Sequence, residues 1–269
     1  MKKVLKKKNK NILLIKSFIV ILVLLLIGML GYGFYRLTCK PYFSVNSRVD
    51  KLKEVQKKNP KYDILGWLIV QGTNIDFPIV YNDGDFPITS VFDEYAWMNN
   101  SELKGKNILS IFGHNIMNLS SKPEIASSEH TRFEQLPSFM YSDFAKNNKY
   151  IQFTTGDEDR IYKIFSVALV ERDSLEPFNI KYNNRELNDY VKKAREDSFY
   201  DYDIDVNDSD EIISLTTCTR FNGQTNKYSL SITGRRLRES EKIKDYDMSE
   251  KDNYNKIKKK LRGVEKNEI

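Results

Sequence analysis

A run of 19 uncharged residues, from Ser17 to Tyr35, is the feature that most restricts how this chain can fold. As a helix rising about 1.5 Å per residue it would extend roughly 28 Å, close to a bilayer hydrocarbon core of about 30 Å. Tyr32 and Phe34 lie near its far end, where aromatic side chains favour the membrane interface. The run predicts a transmembrane helix over residues 17–37. A cleaved signal peptide is the alternative, but its apolar region is usually only about 7–15 residues and no small-residue cleavage site follows here.

The basic residues of the chain are concentrated before this run. Residues 1–16 contain seven lysines and no acid, whereas the rest of the chain holds 36 basic and 37 acidic residues. Lysines on this side predict a single-pass protein of the cell membrane, with a cytoplasmic N-terminus and an extracellular body. Because that body is nearly neutral, the net charge of +6 does not indicate a nucleic-acid-binding face.

Short segments that are rich in apolar and β-branched residues, several of them alternating with polar residues, dominate the body and predict a mainly β fold. Strands are predicted at 63–70, 75–81, 107–112, 149–155, 160–170, 212–218 and 227–237. Apolar residues at helical spacing predict helices at 45–58 and 184–198. The predicted domains are a basic tail (1–16), the transmembrane anchor (17–37), a linker with a helix (38–60), a catalytic domain (61–238) and a charged tail (239–269). The last segment has almost no apolar face and predicts a solvated or disordered tail, with a frayed helix at 249–262.

The strand predicted at 212–218 ends on a cysteine. Arg220 lies two residues beyond Cys218 and would project to the same face of an extended chain. A nearby cation favours the thiolate, which is the nucleophilic form of cysteine. A buried structural thiol is the alternative, since free cysteines are among the most buried residues. Cys39 follows the anchor too closely to favour a disulfide with Cys218, so Cys218 is predicted to be a free thiol.

One of the two histidines occupies a similar position. His114 follows Gly113 at the end of a predicted strand, whereas His130 lies in a polar loop and is predicted to be a surface residue. If both strand ends meet at one edge of a sheet, the imidazole of His114 and the thiol of Cys218 converge. Such a pair performs acyl transfer through a thioester, although a lone histidine is more often structural. No zinc-type Cys/His spacing and no glycine-rich phosphate loop occurs, so neither a metal nor a cofactor is predicted.

Several of these segments resemble the motifs of the sortases. Leu-Thr-Thr-Cys-Thr at 215–219 is similar to their strand-end cysteine signature, and Phe-Gly-His-Asn at 112–115 is similar to their histidine motif. The sequences at 66–70 and 72–80 resemble the N-terminal signature of the class B branch, as does a long helix before the cysteine strand. The resemblance covers about residues 45–238. It implies a closed β-barrel of about eight strands with added helices.

The resemblance also implies an outward-facing cysteine transpeptidase, with Cys218 as the nucleophile and His114 as the acid/base. Such an enzyme cleaves a sorting motif in a secreted protein and passes the acyl group to an amine of a peptidoglycan precursor or of a pilin lysine. Sortases also use an arginine on the strand after the cysteine. The corresponding segment of this chain has only Lys227 as a cation, so Arg220 is predicted to take this role, with Lys227 and Arg235 as alternatives.

Two other classes remain open at this point. A membrane-anchored cysteine hydrolase or protease would use the same Cys–His pair and release its product to water. A non-catalytic surface protein with a degenerate site is also compatible with the missing arginine. Papain-like enzymes carry their cysteine at a helix start, and L,D-transpeptidase-like enzymes have histidine and glycine directly before it. Thr216 and Thr217 hold those positions here, which disfavours the latter.

Overall fold

The computed structural model describes residues 16, 18–30, 42–81, 97–98, 108–113, 115, 133–171, 184–219, 221 and 228–267. The chain divides into two units, Met1–Tyr42 and Phe43–Ile269. In the first unit, residues 18–30 form a helix, α1, whose large apolar side chains are exposed along its length. None of the helices traced over the described residues combines the length and the apolar content that a membrane crossing requires.

The second unit is built on a β-barrel. Its described strands are β1 (Ile64–Val70), β2 (Asp76–Tyr81), β3 (Trp97–Met98), β4 (Ile108–Gly113), β5 (Tyr150–Thr155), β6 (Glu158–Glu171), β7 (Tyr200–Tyr202), β8 (Ile212–Cys218), β9 (Tyr228–Arg236) and β10 (Met248–Glu250). Eight of them close the barrel in the order β1, β2, β3, β4, β8, β9, β6, β5, and β5 pairs back onto β1. The prediction of a mainly β fold with a barrel of about eight strands is confirmed.

Two antiparallel hairpins supply half of the barrel. β1 pairs with β2 after a turn in which Gly72 has a φ of 78°, and β5 pairs with β6 after a turn in which Gly156 has a φ of 57°. Glycine enters this left-handed region without the steric cost that a Cβ atom imposes. The four strands of these hairpins lie where strands are predicted, at 63–70, 75–81, 149–155 and 160–170.

The helices pack on the outside of the barrel through narrow apolar faces. In α2 (Val49–Lys58) the fully buried side chain is Leu52, which packs with Ile64 and Val80. In α4 (Asn184–Asp197) the buried side chains are Leu187 and Val191, as the helical spacing predicts. A 3₁₀ helix (Leu136–Met140) and α3 (Ser142–Asn147) were not predicted from the sequence.

The interpretation of residues 239–269 as a solvated or disordered tail is wrong over its described part, although the structure does contain a helix where one was predicted at 249–262. β10 pairs antiparallel with β7, and α5 (Asp252–Asn267) follows it. Tyr254 and Leu261 on α5 are buried in the main apolar core. Two apolar side chains seven residues apart lie on one face of a helix, so this short pattern is enough to dock an otherwise charged segment.

Buried cations of the barrel hold the segment that leads to α5. The Lys149 ammonium lies 2.8 Å from a carboxylate oxygen of Asp245, and the Lys163 ammonium lies 2.7 Å from Glu241. Arg235, which is 1% exposed, also binds Glu241 through its guanidinium. Since a buried charge is tolerated only when it is paired, the acidic residues of this segment complete the fold of the barrel.

Candidate active site

The strands that carry the predicted histidine and cysteine motifs are neighbours in the barrel. β4 and β8 run parallel, and their pairing extends from Ile108–Ile212 to Gly113–Thr217. The Thr217 hydroxyl donates a 2.8 Å hydrogen bond to the carbonyl oxygen of Gly113. The two strand ends therefore meet at one edge of the sheet, which is the condition for the imidazole of His114 and the thiol of Cys218 to converge. His114 is the next residue after Gly113 and lies outside the described residues.

Cys218 is placed at the point where β8 emerges from the core. The first six residues of β8 are buried, whereas Cys218 is partly exposed and its thiol is free. Side chains alternate along a strand, so Thr216 and Cys218 share one face. The Thr216 hydroxyl is buried on this face and has no hydrogen-bond partner within the part of the chain that the structure describes. The thiol is thus accessible, and an unused polar group lies beside it.

Asn115 adds a side-chain link between the same two strand ends. Its amide group donates a 2.7 Å hydrogen bond to the carbonyl oxygen of Cys218. In the sequence, Asn115 is recognisable only as the last residue of the histidine motif, and no role was predicted for it. The signal that could have indicated a role is its position, because a residue directly after the strand end can reach the neighbouring strand.

Comparisons with known proteins agree with this geometry. The chain is 27% identical to sortase B of Listeria monocytogenes over 188 residues. This alignment covers 65% of this chain and 70% of the Listeria protein. The chain is 22% identical over 208 residues to sortase B of Staphylococcus aureus, covering 72% and 77%. The solved structure of Clostridium perfringens sortase B superposes with a TM-score of 0.57 at 25% identity, covering 69% of this chain and 99% of that one. No family model matches the chain.

The chain is similar in sequence and in fold to the class B sortases. It is accordingly a cysteine transpeptidase, and the family resemblance of its motifs is confirmed.

One of the three candidate cations for the oxyanion is excluded by its position. Arg235 pairs with Ile212 at the start of β8, whereas Ser229 is the residue of β9 that lies opposite Cys218. Six residues of strand separate Ile212 from Cys218, which corresponds to roughly 20 Å. Arg235 is also buried and committed to Glu241. It cannot serve the thiol, and the other two candidates, Arg220 and Lys227, lie outside the described residues.

The segment that follows the cysteine is anchored to β9 and α5. The backbone N–H of Thr219 donates to the carbonyl oxygen of Tyr228 at 3.4 Å. The Phe221 ring packs edge-on against Tyr228, with a centroid distance of 6.4 Å. The ammonium group of Lys260 on α5 lies 4.6 Å from the centroid of the Phe221 ring. The C-terminal helix therefore reaches the same end of the barrel as the cysteine.

Helix α4 covers the other end of the face on which Cys218 lies. The Tyr190 hydroxyl is 3.4 Å from the Thr233 hydroxyl, and Thr233 is the partner of Ser214 on β8. Ser214 shares the face of Cys218 and is four residues before it, about 13 Å along the strand. Burial of Tyr190 raises the pKa of its phenol, while hydrogen bonds to the Ser214 and Thr233 hydroxyls oppose this rise. On this face of β8, Ser214 is buried under α4, whereas Cys218 is partly exposed.

Across the described ranges, no group of three or more His, Cys, Asp or Glu side chains is placed to hold a metal ion. The chemistry that the described residues can support is that of a thiol nucleophile at a strand end.

Proposed function

We propose that this sortase is a membrane-anchored transpeptidase in which Cys218 is the nucleophile and His114 is the acid/base. The observation that carries the proposal is the parallel pairing of β4 with β8, which ends at Gly113 and Thr217. The residues that follow this last pair in the sequence are His114 and Cys218. In a parallel ladder the chain directions agree, so β4 and β8 end at the same edge of the sheet.

The first half of the reaction is the cleavage of a peptide bond. The Cys218 thiolate attacks the carbonyl carbon of the scissile bond and forms a tetrahedral intermediate. As the intermediate collapses, the C–N bond breaks and the His114 imidazolium gives its proton to the departing amine. The products of this half are a thioester on Cys218, a neutral imidazole and the released C-terminal part of the substrate.

The second half of the reaction transfers the acyl group to an amine. His114 accepts a proton from the incoming amine as the amine attacks the thioester carbonyl. The C–S bond then breaks and regenerates the thiolate. The negative oxygen of each tetrahedral intermediate needs donors, and Arg220 is the cation that we assign to it. A bidentate guanidinium suits this task better than the point charge of Lys227.

The substrates that we propose are a sorting motif in a secreted protein and an amine acceptor of a peptidoglycan precursor or a pilin. Solved structures of related sortases include a substrate complex of Staphylococcus aureus sortase B and a complex of sortase B with triglycine. The buried Thr216 hydroxyl beside the thiol supports a peptide ligand, because an extended peptide carries carbonyl and N–H groups that could bind it.

We also propose that residues 17–37 anchor the enzyme in the cell membrane, with the catalytic unit outside. The uncharged run and the seven preceding lysines support this assignment. The exposed apolar side chains of α1 are compatible with contact with lipid. Protease treatment of intact cells and of inverted membrane vesicles would test it. Protection of the catalytic unit in intact cells would contradict the assignment.

The reaction is tested with the full-length chain in detergent micelles. Fluorogenic peptides that span class A-like and class B-like sorting motifs are incubated with and without a glycine-peptide amine, and the products are identified by mass spectrometry. Cys218→Ala and His114→Ala are run in parallel. We expect cleavage at one defined bond, transfer to the amine, and loss of both in the Cys218→Ala variant.

The other outcomes distinguish the alternatives. Release of the free acid even with excess amine would favour a cysteine hydrolase over a transpeptidase. Turnover that persists in Cys218→Ala would show that the nucleophile is assigned wrongly. Full activity of His114→Ala across the pH range would remove the histidine from the mechanism.

A further inference from the structure

Two side-chain hydrogen bonds flank the position of His114 in the sequence. On one side, Gly113 accepts the 2.8 Å bond from the Thr217 hydroxyl. On the other side, Asn115 donates its 2.7 Å bond to the carbonyl oxygen of Cys218. Both partners belong to β8, and one of them is the proposed nucleophile itself. The backbone on each side of the proposed acid/base is therefore tied to the strand that carries the thiol.

We infer that Asn115 is a positioning residue, which fixes the separation between the imidazole of His114 and the thiol of Cys218. The inference rests on the proposed function, because it assigns Asn115 to the Cys–His pair. Asn115 acts through these two residues and is not itself assigned a contact with the reacting atoms.

The location of the bond explains why it matters. The ladder between β4 and β8 ends at Gly113 and Thr217, one residue before both members of the pair. Beyond a ladder, backbone segments diverge unless another contact joins them. The Asn115 amide supplies such a contact at the residue next to His114. Its acceptor is the backbone of Cys218 and not of a neighbour, so the bond restrains the nucleophile directly.

The surroundings restrain β8 from its other edge. Cys218 pairs with Ser229 of β9, and the next residue, Thr219, is fully buried and bonded to Tyr228. The cysteine end of β8 is therefore fixed with respect to β9 by backbone contacts. Past the last pair of the β4–β8 ladder, the hydrogen bond from Asn115 is the contact among the described residues that joins the Cys218 backbone to the β4 side. A displacement of about 1 Å between catalytic groups can lower a rate about 100-fold, so one such contact affects the chemistry.

The thiol itself provides the assay. Iodoacetamide alkylates the thiolate, so the rate as a function of pH reports how well a neighbouring imidazolium supports it. The full-length chain carries Cys39→Ser in every sample, so that only Cys218 is alkylated. Asn115→Leu removes the amide while keeping a similar volume. Asn59→Leu is the matched control, because Asn59 is also partly buried and donates its amide to a backbone carbonyl, that of Val55 at 3.0 Å.

We expect Asn115→Leu to lower the alkylation rate at pH 7 about five-fold, the effect of one ordinary hydrogen bond. The rates of variant and parent should converge at high pH, where the thiolate forms without help. Asn59→Leu should reproduce the parent profile. Thermal unfolding of each variant, followed by circular dichroism, shows whether the fold is kept.

A double-mutant cycle separates positioning from a merely structural effect. If Asn115 acts through His114, then Asn115→Leu changes the pH profile when His114 is present and has no further effect in the His114→Ala background. Equal effects in both backgrounds would overturn the inference, as would a parent-like profile of Asn115→Leu. If His114→Ala itself leaves the profile unchanged, the proposed Cys–His pair is wrong and the positioning role is lost with it.

Discussion

The buried ion cluster around Glu241 gives a quantitative test of the C-terminal segment. The Glu241 carboxylate accepts hydrogen bonds from the Arg235 guanidinium, from the Lys163 ammonium at 2.7 Å and from the backbone N–H of Arg238 at 2.9 Å. The side chains of Arg235 and Lys163 are only 1% and 7% exposed. Glu241→Gln removes the carboxylate that Lys163 and Arg235 share and leaves Arg235 with the longer 3.8 Å contact to Asp205, while it keeps the shape of the side chain.

The expected loss can be estimated from this burial. Breaking a buried ion pair by removal of one partner costs about 3–5 kcal/mol. Glu241 keeps 22% of its side chain exposed, so the lower end, about 3 kcal/mol, applies. For a unit of this size, each kcal/mol lowers the melting temperature by about 2–4 °C, which gives a fall of about 6–12 °C. Thermal unfolding of the full-length chain in detergent, followed by circular dichroism, measures it.

The pH dependence of the same variant checks the electrostatic cause. Burial alone raises the pKa of Glu241, but the hydrogen bonds from Arg235 and Lys163 outweigh it and hold this pKa far below the usual range. A lowered folded-state pKa stabilises the protein above the unfolded value of about 4.3, and this stabilisation is lost as the pH falls below it. The stability gap between parent and Glu241→Gln should therefore narrow below about pH 4.

The control for this experiment lies in the same segment. Glu239 is exposed, and Glu239→Gln should melt within about 2 °C of the parent, as surface substitutions usually do. If Glu241→Gln melts together with Glu239→Gln, the ion cluster contributes nothing and the reasoning is refuted. A gap that stays constant down to about pH 3 would refute the electrostatic explanation alone.

Three further substitutions test the packing that positions the site. Gly113→Ala should lower the free energy of unfolding by about 1–3 kcal/mol in urea titrations, because a Cβ atom there would lie 2.5 Å from the Phe133 ring. Adding Phe133→Leu to this variant should recover part of the lost stability. Leu261→Ala should lower the free energy of unfolding by about 2–5 kcal/mol, because this side chain of α5 is only 1% exposed. The control Lys259→Ala, at an exposed position of the same helix, should leave the stability unchanged. Equal melting temperatures of the two variants would restore the disordered-tail interpretation. Thr217→Val removes the hydrogen bond to Gly113 and should lower the free energy of unfolding by about 1 kcal/mol. Alkylation of Cys218 at pH 7 should also become slower. An unchanged alkylation profile would show that this hydrogen bond does not affect the thiol.

The candidate site was predictable where it depends on local pattern. Runs of apolar and β-branched residues indicated the strands that end at Gly113 and Cys218, because such residues suit the pleated surface of a sheet. Motif order along the chain identified the family. The roles of His114 and Arg220 stay predictions, because both residues lie outside the described ranges. The position of Asn115 directly after a strand end was visible in the sequence, but its hydrogen-bond acceptor was not, because Cys218 is 103 residues away.

The C-terminal segment shows the limit of local pattern most clearly. Its high charge correctly indicated little burial for most residues, but the few apolar side chains on α5 were enough to dock it. Arg235 was a plausible cation for the thiol on sequence distance alone. In the barrel its strand runs antiparallel to β8, so the residue lies at the far end and pairs with Glu241.

The sequence by itself determined the local elements of this protein: the uncharged run, the strands of the hairpins, the helical face of α4, and the two motifs at strand ends. Each of these depends on residues that are close together in the chain, where side-chain periodicity acts directly. Only the tertiary structure decided that β4 and β8 lie side by side, that Arg235 is remote from the thiol, and that charged residues after position 238 are part of the fold. Those outcomes depend on pairings across many tens of residues, and a buried charge is stable only where the folded chain supplies its partner.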